Sequence, residues 1–209
     1  GYLTLQVNNR PDAAPTRFML RDAFPTGFLP LVRREAARVG KLVELLDRRN
    51  KPAPPNMDAD ISWLRDYQRA AALALLRGGR GLLWVPTAGG KTEVAIALAK
   101  LLPSERFLFL VHRKELMVQT AERYHLRTGE AAGLVGDGIY EPRRFTCATF
   151  QTIAQGMDRK PIKALLEQET TAVVVDEVHT LPAASFYRVV MRAHAAFFRW
   201  GMSGTPLQR

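Results

Sequence analysis

Short apolar runs alternate with helix-like stretches over most of the chain beyond residue 62. Strands are predicted over residues 81–85, 107–111, 145–149, 172–175 and 197–202. Helices, with apolar residues three and four positions apart, are predicted over residues 63–76, 93–102 and 115–126. Because uniformly apolar strands separated by helices are typical of a parallel sheet covered on both faces, the pattern predicts an α/β fold with buried strands.

The first 56 residues have a different pattern. Strands are predicted over residues 3–7, 17–21 and 41–46, and a helix over residues 28–39 with Gly40 as its C-terminal cap. Residues 51–56 (KPAPPN) are rich in proline, which continues neither a helix nor the interior of a sheet. The sequence therefore predicts a small α+β domain over residues 1–56 and a main domain over residues 57–209.

The charge of the chain is strongly positive. Thirty Lys and Arg residues against twenty Asp and Glu residues give a formal net charge of +10 at pH 7. Such a surplus favours a polyanionic partner, most often nucleic acid, although basic residues also serve solubility alone.

Cysteine content and hydropathy exclude several other classes of protein. The single cysteine, Cys147, allows no internal disulfide and no cysteine-based metal cluster. No apolar run approaches the roughly 20 residues that span a bilayer, and the first residues lack the features of a signal peptide. We therefore expect no membrane partner and an intracellular, cytoplasmic location.

A glycine-rich segment, PTAGGKT, follows one predicted strand and opens the next helix. This is the context of a phosphate-binding loop, in which backbone N–H groups and a helix N-terminus surround a triphosphate. Lys91 is expected to reach the β- and γ-phosphates, and the Thr92 hydroxyl to ligate Mg²⁺. The strict motif has glycine where this chain has Val85, and a chance glycine-rich turn is the alternative. The candidate nucleotide-binding residues here are Pro86, Thr87, Ala88, Gly89, Gly90, Lys91 and Thr92.

An acidic pair, Asp176 and Glu177, directly follows the predicted strand at residues 172–175. Ligands of open α/β sheets bind at the carboxyl ends of the strands, where this pair lies. Asp176 can hold Mg²⁺ and Glu177 can orient and deprotonate an attacking water, so Lys91, Asp176 and Glu177 are the predicted catalytic residues. Taken alone, such a pair also suits an ordinary helix N-terminus.

These motifs, in this order, resemble those of superfamily 2 helicases. PTAGGKT, DEVH (residues 176–179) and SGTP (residues 203–206) match motifs I, II and III of that superfamily. Residues 64–68 (LRDYQ), 111–116 (VHRKEL) and 148–153 (ATFQTI) resemble its adenine-recognition segment, its motif Ia and a segment that grips a nucleic-acid backbone. The resemblance covers about residues 62–209, and the DExH form is similar to XPB-like repair translocases and phage branch-migration helicases.

The resemblance implies a RecA-like P-loop NTPase lobe and roles for further residues. Gln68 is expected to bind the adenine edge, with Arg65 packed by the base. Residues that couple the nucleotide site to nucleic acid and to a second lobe are implied to be His179, Ser203 and Thr205. Residues on the nucleic-acid face are implied to be His112, Arg113, Thr149 and Gln151. Solvated turns and helix caps explain the last four equally simply, and residues 136–138 (GDG) fit either a backbone-contacting loop or a turn.

The implied function is that of an ATP-dependent DNA helicase or translocase that uses ATP and Mg²⁺. Motifs IV to VI of the second RecA-like lobe are not found in the sequence, which implies the N-terminal part of such an enzyme. We therefore expect weak binding of Mg-ATP and slow hydrolysis, or none. The resemblance also implies DNA contact by residues 1–56 and association with the nucleoid, in a bacterial or phage-infected cell. The alternatives are an RNA helicase, a nucleic-acid-binding scaffold that retains a nucleotide pocket, and an unrelated phosphate-loop enzyme such as a small kinase.

Overall fold

The computed structural model of the protein describes residues 4–8, 29–46, 52–180 and 183–205. Two compact units divide between residues 50 and 51. The predicted domain boundary between residues 56 and 57 stays a prediction, while residues 52–56 contain neither helix nor strand. The strand predicted at residues 17–21, and Pro206 of the SGTP motif, lie outside the described residues.

The N-terminal unit combines one helix with a pair of strands. Its elements are β1 (Thr4–Asn8), α1 (Leu29–Arg38) and β2 (Leu42–Leu46). The two strands pair antiparallel. Gly40 follows α1 with a φ of 68°, a left-handed conformation that lets the chain turn back from the helix into β2. The described residues of this unit thus contain both helix and strand.

The second unit contains the remaining helices and strands. Its helices are α2 (Asp66–Gly78), α3 (Lys91–Leu101), α4 (Lys114–Thr128), α5 (Phe150–Gly156), α6 (Lys160–Ala164) and α7 (Ala183–Arg192). Its strands are β3 (Arg80–Trp84), β4 (Phe107–Val111), β5 (Gly133–Gly136), β6 (Ile139–Glu141), β7 (Phe145–Thr149), β8 (Ala172–Val175) and β9 (Phe198–Ser203). A short π-helical segment (Leu165–Glu169) precedes β8, and a 3₁₀ turn (Val178–Thr180) follows it.

The strands of this unit form one sheet in the order β3-β9-β8-β4-β7-β5-β6. All neighbours are parallel except β5 and β6, so the prediction of a parallel sheet is confirmed apart from one antiparallel hairpin. The hairpin turns at Asp137 and Gly138, whose φ angles are 52° and 81°. Asp-Gly suits this tight turn, because both residues tolerate positive φ. The GDG segment therefore contains a turn.

Each face of the sheet packs against its own set of helices. On one face, Phe107, Phe109 and Trp200 are buried in a core that includes residues of α2, α3 and α4. On the other face, Leu108 and Leu110 are buried against α5, α6 and α7. Cys147 is fully buried in the first core, as its apolar strand predicted. Apolar residues on both sides of the central strands thus hold the sheet between two helical layers.

The edge strand β3 corrects one prediction. Residues 81–85 were expected to form a buried strand, but only Leu83 of β3 is buried, whereas Leu82 is 41% and Trp84 60% exposed. Leu83 faces the core of α2 and α3. Leu82 and Trp84 point to the opposite face, where the described helices pack mainly over the central strands. The physical reason is therefore the position of β3 at the edge of the sheet.

The parallel strands β3, β9, β8, β4, β7 and β5 all end at the same edge of the sheet. Apart from residues 64–68, which precede β3, each of the sequence motifs lies at the carboxyl end of one of these strands. Parallel pairing therefore gathers segments that are up to about 120 residues apart into one region, the usual ligand-binding edge of such sheets. Among the described residues, no helix is both long enough and apolar enough to cross a membrane.

Candidate nucleotide-binding site

The glycine-rich segment forms the loop between β3 and α3. Lys91 and Thr92 are the first two residues of α3, and Gly90 caps the helix with a φ of 82°. Ala88 also has positive φ, 65°, which costs a non-glycine residue about 1 kcal/mol. The first turn of α3 thus directs unpaired backbone N–H groups at the space above the loop, the arrangement that binds phosphate.

Val85, which replaces the glycine of the strict motif, lies directly against Gly89 in the loop. A Cβ atom at Gly89 would lie 2.3 Å from Cγ1 of Val85 and 2.9 Å from the carbonyl oxygen of Pro86. Neither distance is compatible with an ordinary van der Waals contact. The valine side chain therefore occupies space under the loop, and the loop closes over it because residue 89 has no side chain.

Lys91 forms an ion pair with Glu177 across the site. Its Nζ lies 3.1 Å from Oε1 of Glu177, and only 8% of the lysine side chain is exposed. The other carboxylate oxygen of Glu177 accepts a hydrogen bond of 3.2 Å from the Gly204 N–H. Burial alone would raise the pKa of Glu177, but the Gly204 N–H and the Lys91 ammonium outweigh it and lower the pKa. Glu177 is thus held as a carboxylate.

Asp176 differs from its neighbour in charge environment. Burial, and then the adjacent Glu177 carboxylate, raise the pKa of Asp176 above its usual value. Oδ1 of Asp176 accepts a 3.0 Å hydrogen bond from the Glu177 N–H. Glu177 has a φ of 46°, an uncommon conformation for a residue with a side chain. A divalent cation beside Asp176 would favour its charged form.

A cavity of about 520 Å³ brings half of the predicted site residues together. Its volume is in the range of small-molecule sites. The predicted residues that line it are Thr87, Ala88, Gly90, Lys91, Thr92, His112, Arg113, Asp176 and Glu177. Pro86 and Gly89 belong to the same loop but do not line the cavity. The phosphate loop and the acidic pair therefore line the same cavity.

The Thr92 hydroxyl and the Asp176 carboxylate both offer oxygen atoms of the kind that Mg²⁺ prefers. Magnesium in nucleotide sites is usually held by one or two protein oxygens together with phosphates and water. Among the described residues, no group of three or more His, Cys, Asp or Glu side chains is placed to hold a metal ion by itself. The residues present therefore fit a metal that arrives with a phosphate ligand.

The three residues predicted to couple the site to other parts of the enzyme lie together. His179 Nδ1 is 2.8 Å from the Ser203 hydroxyl oxygen, which donates its own proton to the Thr205 carbonyl at 2.8 Å. This network assigns the imidazole proton to Nδ1. The same nitrogen lies 3.4 Å from Oε2 of Glu177. Ser203 of motif III is thus linked to Glu177 through His179 of motif II.

Gly204 extends this contact to the phosphate loop. A Cβ atom at Gly204 would lie 2.9 Å from Oγ1 of Thr87 and 3.2 Å from Nζ of Lys91. The sequence analysis gave Gly204 no role, although it lies inside the SGTP motif. Its N–H also holds Glu177. A displacement of Gly204 would therefore change the contacts of both the phosphate loop and the Glu177 carboxylate.

The segment predicted to recognise adenine lies beside the phosphate loop but is engaged with the protein. Gln68 is 5% exposed; its Oε1 accepts from the Arg65 N–H at 2.9 Å, and its Nε2 donates to the Gly89 carbonyl at 3.0 Å. The hydroxyl of Tyr67 donates to the same carbonyl at 2.8 Å. Arg65 is exposed at the start of α2. Sequence analysis gave Tyr67 no role, and its contact with a residue 22 positions away carries no local signal.

The residues predicted to face nucleic acid follow neighbouring strands. His112 and Arg113 follow β4, and Thr149 is the last residue of β7, the neighbouring strand in the sheet. Thr149 is half-buried, whereas the side chains of His112, Arg113 and Gln151 are exposed. The Thr149 hydroxyl donates to that of Thr152 at 2.8 Å. Lys114 forms an ion pair with Asp137 of the hairpin turn. The structure places these segments side by side, and their role in binding nucleic acid stays a prediction.

Comparison with known proteins identifies the family. A family model described as the type III restriction enzyme, res subunit, matches residues 62–208, and the chain belongs to this family. DNA 3'-5' translocase XPB2 of Sulfurisphaera tokodaii is 29% identical over 143 residues, which cover 68% of this chain and 31% of the relative. DNA 3'-5' helicase XPB of Mycobacterium tuberculosis is 31% identical over 128 residues, which cover 59% of this chain and 23% of the relative. The chain thus spans about a third or less of the length of these relatives.

Solved structures show the same fold. The UvsW helicase from bacteriophage T4 matches with a TM-score of 0.69 at 18% identity, over 88% of this chain and 72% of that one. The Hef helicase domain of Pyrococcus furiosus matches with a TM-score of 0.60 at 20% identity, over 75% of this chain and 35% of that one. These structures confirm the predicted RecA-like fold, and the family model and the relatives confirm the resemblance to superfamily 2 helicases of the XPB-like type.

The ion pair between Lys91 and Glu177 leads to a prediction for Glu177→Gln. A triphosphate must take Lys91 from Glu177, so removing the carboxylate charge should tighten Mg-ATP binding about three- to tenfold. Any turnover should fall, because an amide cannot accept a proton from water. Titration calorimetry and phosphate release measure the two effects. Glu93→Gln is the matched control, since Glu93 pairs with Arg123 and Arg127 instead. Weaker ATP binding by Glu177→Gln alone would contradict the prediction.

Proposed function

We propose that this chain is the first motor lobe of an ATP-dependent DNA helicase or translocase. The observation that carries the proposal is the cavity in which Lys91, Thr92, Asp176 and Glu177 meet, with Gly204 of motif III against two of them. Phosphoryl transfer needs positioning and electrostatic stabilisation more than covalent chemistry. This cavity offers a cation, an oxygen pair for a metal and a carboxylate held in its charged form.

Each of these groups has a part in ATP hydrolysis. Lys91 would bind the β- and γ-phosphates after leaving Glu177. Thr92 and Asp176 would hold Mg²⁺, which supplies charge neutralisation at the phosphates. Glu177, released from Lys91 but still bonded to the Gly204 N–H, would orient the attacking water and accept its proton. Exchange of Lys91 between carboxylate and phosphate thus links nucleotide binding to the state of the catalytic base.

Motif III would pass this change to the rest of the enzyme. Gly204 contacts Glu177 through its N–H, and Ser203 contacts His179, so a shift of the carboxylate moves both neighbours. We propose that this route acts on a second RecA-like lobe, which would close over the nucleotide and supply further cations. Closure and release of two lobes, each with its own grip on the backbone, would give directed movement.

The proposed substrate is DNA, gripped at the strip that includes His112, Arg113, Thr149 and Gln151. These residues lie at the carboxyl ends of neighbouring strands beside the nucleotide cavity. The relatives named above are a DNA translocase and a DNA helicase. The net charge of +10 suits contact with phosphates, and such contact is tolerant of sequence and sensitive to salt. A DNA substrate also implies an intracellular location.

The test combines nucleotide and DNA binding by the 209-residue chain. Expected results are Mg²⁺-dependent ATP binding, slow turnover that duplex DNA stimulates weakly, and DNA affinity that falls steeply between low and moderate salt. Thr92→Val, which keeps shape but lacks the hydroxyl, should lose the Mg²⁺ dependence, whereas Thr92→Ser should keep it. Absence of Mg-ATP binding would sink the proposal. A preference for RNA, or DNA binding without any turnover, would favour the RNA helicase or scaffold alternative.

A further inference from the structure

One wall of the nucleotide cavity is formed by α4, the helix that follows β4. Leu116 and Arg123 line the cavity from this helix. They are about two helical turns apart, so their side chains lie on the same face of α4. Thr120, between them on that face, is buried. The sequence analysis gave Arg123 no role, because it lies in the middle of a helix and outside every motif.

Glu93, in the first turn of α3, lies beside two arginines of α4. Nε of Arg127 donates to Oε2 of Glu93 at 3.0 Å, and the Arg127 guanidinium lies 5.5 Å from the centre of the Trp63 ring. Nη1 of Arg123 is 3.6 Å from Oε1 of Glu93, which is too long for a hydrogen bond. The carboxylate therefore holds Arg127 firmly and Arg123 only weakly.

Arg123 can leave Glu93 at little cost. Its side chain is 53% exposed, and an exposed ion pair of this length contributes little to stability. Lys91, by contrast, is buried and lies 3.1 Å from the Glu177 carboxylate, which it must leave to bind a phosphate. Arg123 is thus a cation on the cavity wall that a ligand can engage without first breaking a hydrogen bond.

The charges around the cavity favour such a contact. A triphosphate remains negative after it binds Mg²⁺, and Asp176 and Glu177 add carboxylates to the same cavity. A guanidinium offers a planar fork of N–H donors that matches two oxygens of one phosphate. We propose that Arg123 binds a phosphate of the nucleotide, as a nucleotide-binding residue supplied by α4. This inference rests on the proposed nucleotide site.

The experiment titrates Mg-ATP and Mg-tripolyphosphate into the wild-type chain and into Arg123→Gln by calorimetry. Tripolyphosphate has the phosphates of ATP without the base or the ribose, so a contact with phosphate affects both ligands. We expect the affinity for both to fall by one common factor of about three to ten, the effect of a lost charge-assisted hydrogen bond. Arg123→Lys keeps the charge and should recover part of the loss.

Arg127→Gln is the matched control. Arg127 lies on the same helix and pairs with the same carboxylate, but it does not line the nucleotide cavity. This variant should keep wild-type affinity for both ligands and have a lower melting temperature, because it loses the 3.0 Å hydrogen bond to Glu93. Arg123→Gln should show the opposite pattern, with weaker binding and a melting temperature close to that of wild type.

Several outcomes would overturn the inference. They are unchanged affinities in Arg123→Gln, a loss for Mg-ATP alone, or equal losses in Arg123→Gln and Arg127→Gln. A fall in the DNA affinity of Arg123→Gln with unchanged nucleotide affinity would also overturn it, because the cation would then belong to the DNA interface. Wild-type chain that binds neither Mg-ATP nor Mg-tripolyphosphate would instead refute the proposed function.

Discussion

Replacing Lys91 by alanine is expected to weaken Mg-ATP binding by about a hundredfold. An ammonium that reaches two phosphates makes two charge-assisted hydrogen bonds of about 1.5–3 kcal/mol each, and their combined loss of about 3 kcal/mol corresponds to this factor. Titration calorimetry with Mg-ATP measures it directly. Because Lys91 is the first residue of α3 and its side chain is buried, no other described lysine occupies an equivalent place.

The same substitution acts on Glu177. Burial raises the pKa of the Glu177 carboxyl, and the Lys91 ammonium and the Gly204 N–H lower it. Removing the ammonium leaves only the Gly204 N–H, so we expect the pKa of Glu177 to rise. The variant should therefore also lose turnover over the pH range in which Glu177 becomes protonated. Removing the cation thus impairs both the binding of phosphates and the candidate base.

Lys100→Ala is the matched control for this prediction. Lys100 lies on the same helix, α3, with its ammonium 5.2 Å from the centre of the Trp63 ring. It carries the same charge as Lys91 but does not line the nucleotide cavity. Equal losses of ATP affinity in the two variants would show that general electrostatics, and not a phosphate contact at Lys91, holds the nucleotide.

The central strands were predictable from the sequence to the residue. The ranges 107–111, 145–149 and 172–175 agree with β4, β7 and β8. These strands lie in the middle of the sheet and are apolar on both faces, so local composition is enough to predict them. The edge strand β3 also contains large apolar residues, but the sequence pattern does not show whether a helix covers their side chains. Its exposure therefore required the structure.

Shorter elements were missed because they lack a local signal. Strands β5 and β6 contain four and three residues and begin or end beside glycine or a turn. Helices α5 and α6 contain seven and five residues, too few for an apolar period to repeat. The longer α7 was also missed. The prediction for α2 began at residue 63, three residues before the helix, because Trp63 and Leu64 are apolar although they precede the cap.

For the candidate site, too, the sequence predicted some features and not others. Lys91, Thr92, Asp176 and Glu177 were predictable because each lies in a short motif directly after a strand. What those residues contact was not predictable, because the partners are distant in the sequence. The bond between Gly204 and Glu177 spans 27 residues, and that between Gln68 and Gly89 spans 21. Sequence motifs thus identified the candidate residues, while their contacts with one another depend on the topology of the sheet.

The second large effect is expected at Gly89, where alanine should weaken Mg-ATP binding at least about thirtyfold. The added Cβ atom would lie 2.3 Å from Val85 and 2.9 Å from the Pro86 carbonyl, so the loop must move. Overpacking of this kind typically costs about 1–3 kcal/mol, and here the displaced backbone is the one that binds phosphates. The free energy of unfolding, from denaturant titration, and the ATP affinity should both fall.

Two companion variants make the prediction specific. Val85→Ala combined with Gly89→Ala removes the atom at 2.3 Å and should restore part of the ATP affinity; the contact with the Pro86 carbonyl, at 2.9 Å, limits the recovery. Ala88→Gly is the opposite change in the same loop. It relieves a positive φ of 65° and should leave ATP binding intact while stabilising the chain by up to about 1 kcal/mol. The prediction is contradicted if Gly89→Ala binds ATP with wild-type affinity, or if adding Val85→Ala to Gly89→Ala does not change its ATP affinity. Either result would mean that the conformation of the loop does not depend on contact with the Val85 side chain.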